Sequence, residues 1–189
     1  MEQPVSRNRR IHFFDEWRGL AIILMVLYHG AYDIVEIFGV KWPLFHSFGL
    51  HVVQEGIAGS FIFISGVACR FSHNNRKRGL IAFVLGIVLT AVTLLVIPSQ
   101  RVMFGVLHLL GASMLLFSFL RPLLDKLHPA VGFSLMLFLF AFTMYLPDGV
   151  LGFPPIAVRL PKSIYEIGFL FPLGFSSPQF FSSDYFPIL

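Results

Sequence analysis

Residues 18–33 read RGLAIILMVLYHGAYD, an apolar run of membrane grade with Arg18 at one end, Asp33 at the other and His29 inside. An α-helix turns about 100° per residue, so the step from Arg18 to His29 is about 1100°, three turns plus roughly 20°. The two side chains therefore lie almost in line. Asp33 follows His29 at the i,i+4 neighbour spacing, and Asp15 precedes Arg18 by about one turn. The polar residues form a single stripe, which leaves the other faces free for lipid or packed neighbours.

The rest of the chain has the same character. Of its 189 residues, 56% are hydrophobic, 16% aromatic and 13% charged, where a soluble domain carries about 25% charged. Mean hydropathy is +0.78. These values set the fold class: an all-α, polytopic transmembrane bundle. The net charge of +4 is gathered in a few connections, which points to membrane orientation and away from nucleic acid. A lone cysteine, Cys69, excludes an internal disulfide, and no metal-ligand spacing occurs. No small-residue cleavage site follows the first apolar run, so it reads as a retained span and not a cleaved signal.

A bilayer core needs about 20 mostly apolar residues per helix. Five segments meet this, at roughly 17–38, 47–71, 79–98, 102–121 and 128–147, after a tail at 1–16, all in one membrane domain. With the N-terminus cytoplasmic, the inside segments hold Arg7, Arg9, Arg10, Arg76, Lys77, Arg78, Arg121 and Lys126, and the outside ones Lys41, Arg101, Arg159 and Lys162. Eight cations against four favour that orientation by the positive-inside rule, in a cell inner membrane. Residues 148–189 read as an outside loop, a short re-entrant piece, IGFLFPLGF, and the start of a truncated helix that Ser183 or Asp184 caps. The bundle is expected to be incomplete.

Ionisable groups inside a span are costly and usually mark function. The first span carries Arg18, His29, Asp33 and Glu36; the second carries His51 and Glu55, again i,i+4, with Gln54 beside them. His46 stands at the entrance to the second span, after GVKWPLF, and His108 sits on the fourth between glycines that permit close helix packing. Each has a bland alternative: Arg18 can snorkel to the interface, His108 can pack, and His51 with Glu55 can join helices structurally. His29 resists that reading, because it lies about 16 Å along the helix from Arg18, near mid-membrane. No Ser-His-Asp order, catalytic carboxylate pair or phosphate loop emerges. A histidine base with a cationic partner remains, and its natural chemistry is group transfer to a hydroxyl or amine.

Four stretches in order, FDEWRGLAIILMVLYHGAYD, FIFISGVACRFS, FGVLHLLGASMLL and SSDYFP, resemble bacterial relatives of the heparan-α-glucosaminide N-acetyltransferase catalytic domain. The spacing of Arg18 and His29 is also similar to that in the wider transmembrane acyltransferase group, which includes polysaccharide O-acyltransferases. The resemblance implies transfer from cytoplasmic acetyl-CoA or another acyl-CoA to a sugar amine or hydroxyl on the outer side, without a metal. It implies Arg18 and His29 as the functional pair, Arg18 with Asp15 toward the donor. His46 stands near the place of the animal enzyme's active-site histidine, ahead of the FxFIxG-type stretch. His29 is then the expected base in a wet cavity, Asp33 its orienting carboxylate, and His46 or Glu55 a proton relay. His51, His108 and Asp184 are further candidates. The expected partners are the bilayer, the acyl donor, a glycan or other small acceptor, and in one reading a second copy of the chain. The competing readings are a proton-coupled transporter component and a non-catalytic membrane protein.

Overall fold

The computed structural model describes residues 12–188; the N-terminal cations Arg7, Arg9 and Arg10 lie outside the described residues. Five helices are long and apolar enough to cross a membrane, spanning His12–Ile37, Phe48–Phe71, Asn75–Val96, Val106–Leu124 and Pro129–Asp148. The chain divides into two compact units, one ending at Phe71 and the other beginning at Ser72.

The first unit is a helical hairpin. Helix α1, His12–Tyr32, continues into a π turn at Asp33–Ile37, and α2 runs Phe48–Phe71 after a short 3-10 turn at Pro43–His46. The helices are antiparallel: Trp17 near the start of α1 meets Phe63 late in α2, at 6.2 Å between ring centroids. Tyr28, late in α1, donates its hydroxyl proton to Gln54 Oε1 early in α2, at 2.8 Å. Most aliphatic side chains of α1 face outward, Leu20, Ile23, Val26 and Leu27 among them. A soluble helix would bury such a stripe; here lipid is the solvent that makes its exposure cheap.

In the second unit, α3 (Asn75–Val96) and α4 (Val106–Leu124) pack closely, followed by α5 (Pro129–Thr143). The closeness comes from glycine. A Cβ on Gly79 would collide with Met114, one on Gly86 with the His108 ring, and one on Gly111 with the backbone of Phe83. The register falls along α4 as it rises along α3, so the pair is antiparallel. Small residues let the backbones approach, and in lipid that packing replaces the hydrophobic drive.

Three helix starts differ from the sequence expectation, the first being α1, already helical at His12 where 17 was expected. Helix α3 starts four residues early, because Asn74 Oδ1 accepts the Lys77 amide at 3.0 Å and caps it. Helix α4 starts at Val106 instead of 102, because 101–105 is extended and held from two sides. Thr90 Oγ1 donates to the Val102 carbonyl at 2.7 Å, and the Val102 amide donates to Thr93 Oγ1 at 3.1 Å. On the other side, residues 181–186 bond the same segment.

After α5 the chain folds back on itself. A two-residue hairpin, β1 (Val150–Leu151) with β2 (Val158–Arg159), is followed by a one-turn helix α6, Lys162–Tyr165, and a 3-10 turn at Phe171–Leu173. Tyr165 donates its hydroxyl proton to the carbonyl of buried Leu146. Burial, then the Asp148 carboxylate, holds that phenol above its ordinary value. The apolar IGFLFPLGF stretch forms turns instead of a helix. No helix opens at Ser183 or Asp184 among the described residues, since Asp184 instead serves α4.

Candidate active site

The α1–α2 turn gathers aromatic and ionisable side chains around Phe45, which is 7% exposed. Tyr28 stacks on it at 5.6 Å, while Tyr32 and Trp42 lie against it at 6.2 Å each. Pro43 presets the backbone of the 3-10 turn, and the Phe45 amide donates to the Trp42 carbonyl at 2.9 Å. His46 then follows Phe45 with its ring edge-on, 5.6 Å away.

His46 has a carboxylate partner across the turn. Its Nε2 lies 3.7 Å from Glu36 Oε1, longer than a hydrogen bond and an ion pair only when the imidazole is protonated, with the His46 side chain 66% exposed. Glu36 reaches this place through the π turn, in which the Phe38 amide donates to the Asp33 carbonyl at 3.0 Å, five residues back. Such wide turns re-aim the residues that follow them and recur at functional sites.

The remaining candidates fall as follows. Arg18 and Asp15 are paired at 3.6 Å in the first turns of α1, the guanidinium side chain 44% exposed. A half-exposed guanidinium with one long ion pair among the described residues can offer donors to phosphate. His29 is exposed and lies edge-on to Tyr28. Asp33 is exposed at the start of the π turn, and no ion pair joins it to His29 among the described residues. The α register ends at Tyr32, so the i,i+4 rule does not carry across. His51 and Glu55 are exposed on α2, also unjoined among the described residues; the polar link between the helices runs through Gln54 and Tyr28.

In the second unit, His108 and Asp184 meet at one end of α4. His108 is 5% exposed, stacked on Phe104 at 5.2 Å and edge-on to Phe83 at 5.6 Å. Its Nδ1 faces Gly86 and has no hydrogen bond among the described residues. Two residues earlier, the Val106 amide donates to Asp184 Oδ2 at 3.0 Å. Asp184 is thus a tertiary N-cap, a carboxylate at the positive end of the helix. Around it the Met103 amide donates to Ser182 Oγ at 3.0 Å, Ser183 Oγ donates to the Gln100 carbonyl at 2.8 Å, and the Phe186 amide donates to the Phe104 carbonyl at 2.9 Å. The FGVLHLLG and SSDYFP stretches, far apart in sequence, are one structural element.

Sequence reasoning singled out Glu36 as an ionisable residue but missed it as the partner of His46. It also missed Phe45 as the hub. The available signal was local: WPLFH places a proline-led turn between two helices with aromatic side chains on both flanks.

The α1–α2 turn sets an imidazole near a carboxylate and an indole against the same phenylalanine ring as that imidazole, and the opposite end of α1 offers a cation. Among the described residues no cluster of three or more metal-ligating side chains occurs. The family model described as the catalytic region of heparan-alpha-glucosaminide N-acetyltransferase matches residues 10–189. No curated protein matches the chain, and no solved structure does.

Proposed function

The chain belongs to the heparan-alpha-glucosaminide N-acetyltransferase catalytic-domain family, and from that premise we propose that it transfers an acetyl group from acetyl-CoA to the amine of a glucosamine-type sugar. The donor is taken from the cytoplasmic side and the acceptor from the outer side of a cell inner membrane. Five helices long and apolar enough to cross a membrane support a membrane setting for the transfer.

The observation that carries the assignment of roles is the His46–Glu36 contact. A neutral imidazole whose Nε2–H is turned toward the carboxylate leaves the Nδ1 lone pair for the acceptor. The sugar nitrogen attacks the thioester carbonyl carbon, a C–N bond forms, and the C–S bond breaks. The amine proton passes to His46 Nδ1, and the coenzyme leaves as the thiolate. Glu36 stabilises the imidazolium that results, as a positioning carboxylate. His29, whose ring lies edge-on to Tyr28, donates toward the developing oxyanion.

Arg18 holds donor phosphates at the opposite end of α1. An elongated donor, with phosphates at one end and thioester at the other, matches two groups separated along one helix. The planar fork of Arg18 suits those phosphates.

The test is acetyl transfer by the purified protein in lipid nanodiscs, with labelled acetyl-CoA and methyl glucosaminide. His46→Gln is expected to lower kcat by about 10²–10⁴-fold, the usual contribution of a general base, with insertion unchanged. Full turnover in His46→Gln together with a comparable loss in His29→Gln would move the base to His29.

A further inference from the structure

The indole of Trp42 has no part in the chemistry above, yet it presents an exposed aromatic face in the α1–α2 turn. It is 42% exposed, and its mounting is rigid. Its carbonyl anchors the 3-10 turn through the Phe45 amide at 2.9 Å. Its ring leans on Phe45 at 6.2 Å with a 36° tilt, and Phe45 is itself wedged by Tyr28. Trp42 and His46 are the two ends of one short turn, both in ring contact with Phe45. A large flat apolar face is thus fixed within one turn of an imidazole–carboxylate pair.

We propose that Trp42 is the stacking platform of the acceptor-sugar subsite, with Glu36 drawing in the amino group and His46 beside it. This rests on the acetyl-transfer reading and adds to it the residue that selects the acceptor. An amino sugar has the two properties this corner recognises. Its ring presents an apolar C–H face that lies against an indole, and its ammonium form is attracted both to the aromatic face and to a carboxylate. An anionic acceptor would be repelled by Glu36, and a neutral apolar one would gain nothing from it.

The competing account is a Trp that marks the membrane–water boundary, as many do. An interfacial Trp needs an exposed ring, but it needs neither a turn shared with a paired histidine nor contact with the same buried ring.

The chain has two tryptophans, Trp17 and Trp42, so Trp17→Phe leaves a single reporter at the subsite. In nanodiscs, its emission is expected to change saturably with methyl glucosaminide and to ignore methyl glucoside at the same concentrations. In the native background, Trp42→Leu is expected to raise the acceptor KM at least tenfold with the acetyl-CoA KM unchanged, and Trp42→Tyr to recover most of the loss. Saturable quenching without any acetyl transfer would support the subsite while overturning the transferase reading. Emission insensitive to the amino sugar, or an acceptor KM in Trp42→Leu within twofold of native, would overturn the proposal and leave a boundary anchor.

Discussion

Asp33 and Glu36 are both carboxylates at the end of the same helix, and the chain uses them differently because of one change in hydrogen-bond register. In an uninterrupted α-helix His29 and Asp33 would be i,i+4 neighbours. The π turn beginning at Asp33 ends that register and turns Glu36 toward His46, 3.7 Å away. The account therefore separates two substitutions that sequence spacing ranks the other way. Glu36→Gln is expected to lower kcat about fivefold, since a partly exposed ion pair at 3.7 Å is worth up to about 1 kcal/mol, while Asp33→Asn stays within twofold. Steady-state kinetics on both variants decide it, and a larger loss in Asp33→Asn would restore the i,i+4 pair. At the other end of α1, Arg18→Lys should raise the acetyl-CoA KM about tenfold, one charged hydrogen bond's worth, and leave the acceptor KM alone. An unchanged donor KM would reduce Arg18 to a snorkelling side chain.

At the scale of elements, the α3–α4 pair is fixed by what glycine omits. His108 occupies the space a Gly86 side chain would fill, and its ring is sandwiched by Phe104 and Phe83. Its burial and ring contacts suit a packing role. Gly86→Ala is expected to destabilise the protein, and so is His108→Ala, each by opening or crowding the same contact. The double variant should recover part of the loss, with a coupling of about 0.5–3 kcal/mol between touching residues. Thermal unfolding of the four proteins in detergent reads it, and strict additivity would show that the two do not share a contact. His108→Gln should cost stability more than turnover.

Helix existence was legible from apolar length alone, since five runs of about 20 residues leave little choice in a bilayer. What was not legible depended on partners distant in the chain. The start of α4 slips from 102 to 106 because Ser182, Asp184 and Phe186 hold the preceding strand-like segment, and nothing near residue 102 signals that. Asp184 reads in sequence as the cap of a helix to come; in the fold it caps one that began 78 residues earlier. The His46–Glu36 pair was hidden for the opposite reason. It is local, but it depends on a π turn that an assumption of 3.6 residues per turn cannot express.

For the whole molecule, orientation and function are linked. The single native cysteine, Cys69, is buried, so Cys69→Ala provides a silent background for single-cysteine reporters. An impermeant maleimide applied to intact cells is expected to label Ser99→Cys, in the α3–α4 connection, and to spare His73→Cys, before α3. The reverse pattern would invert the topology derived from the charges and put Arg18 on the outer face. The decisive measurement is vectorial transfer. Sealed proteoliposomes containing the protein in one orientation, established by the same labelling, receive labelled acetyl-CoA on the side of the N-terminus, with methyl glucosaminide trapped on the other. The account predicts labelled N-acetyl sugar inside the vesicles, dependent on His46 and abolished when the donor is supplied on the opposite face. Absence of N-acetyl product from vesicles that retain native acetyl-CoA and amino-sugar binding would contradict it.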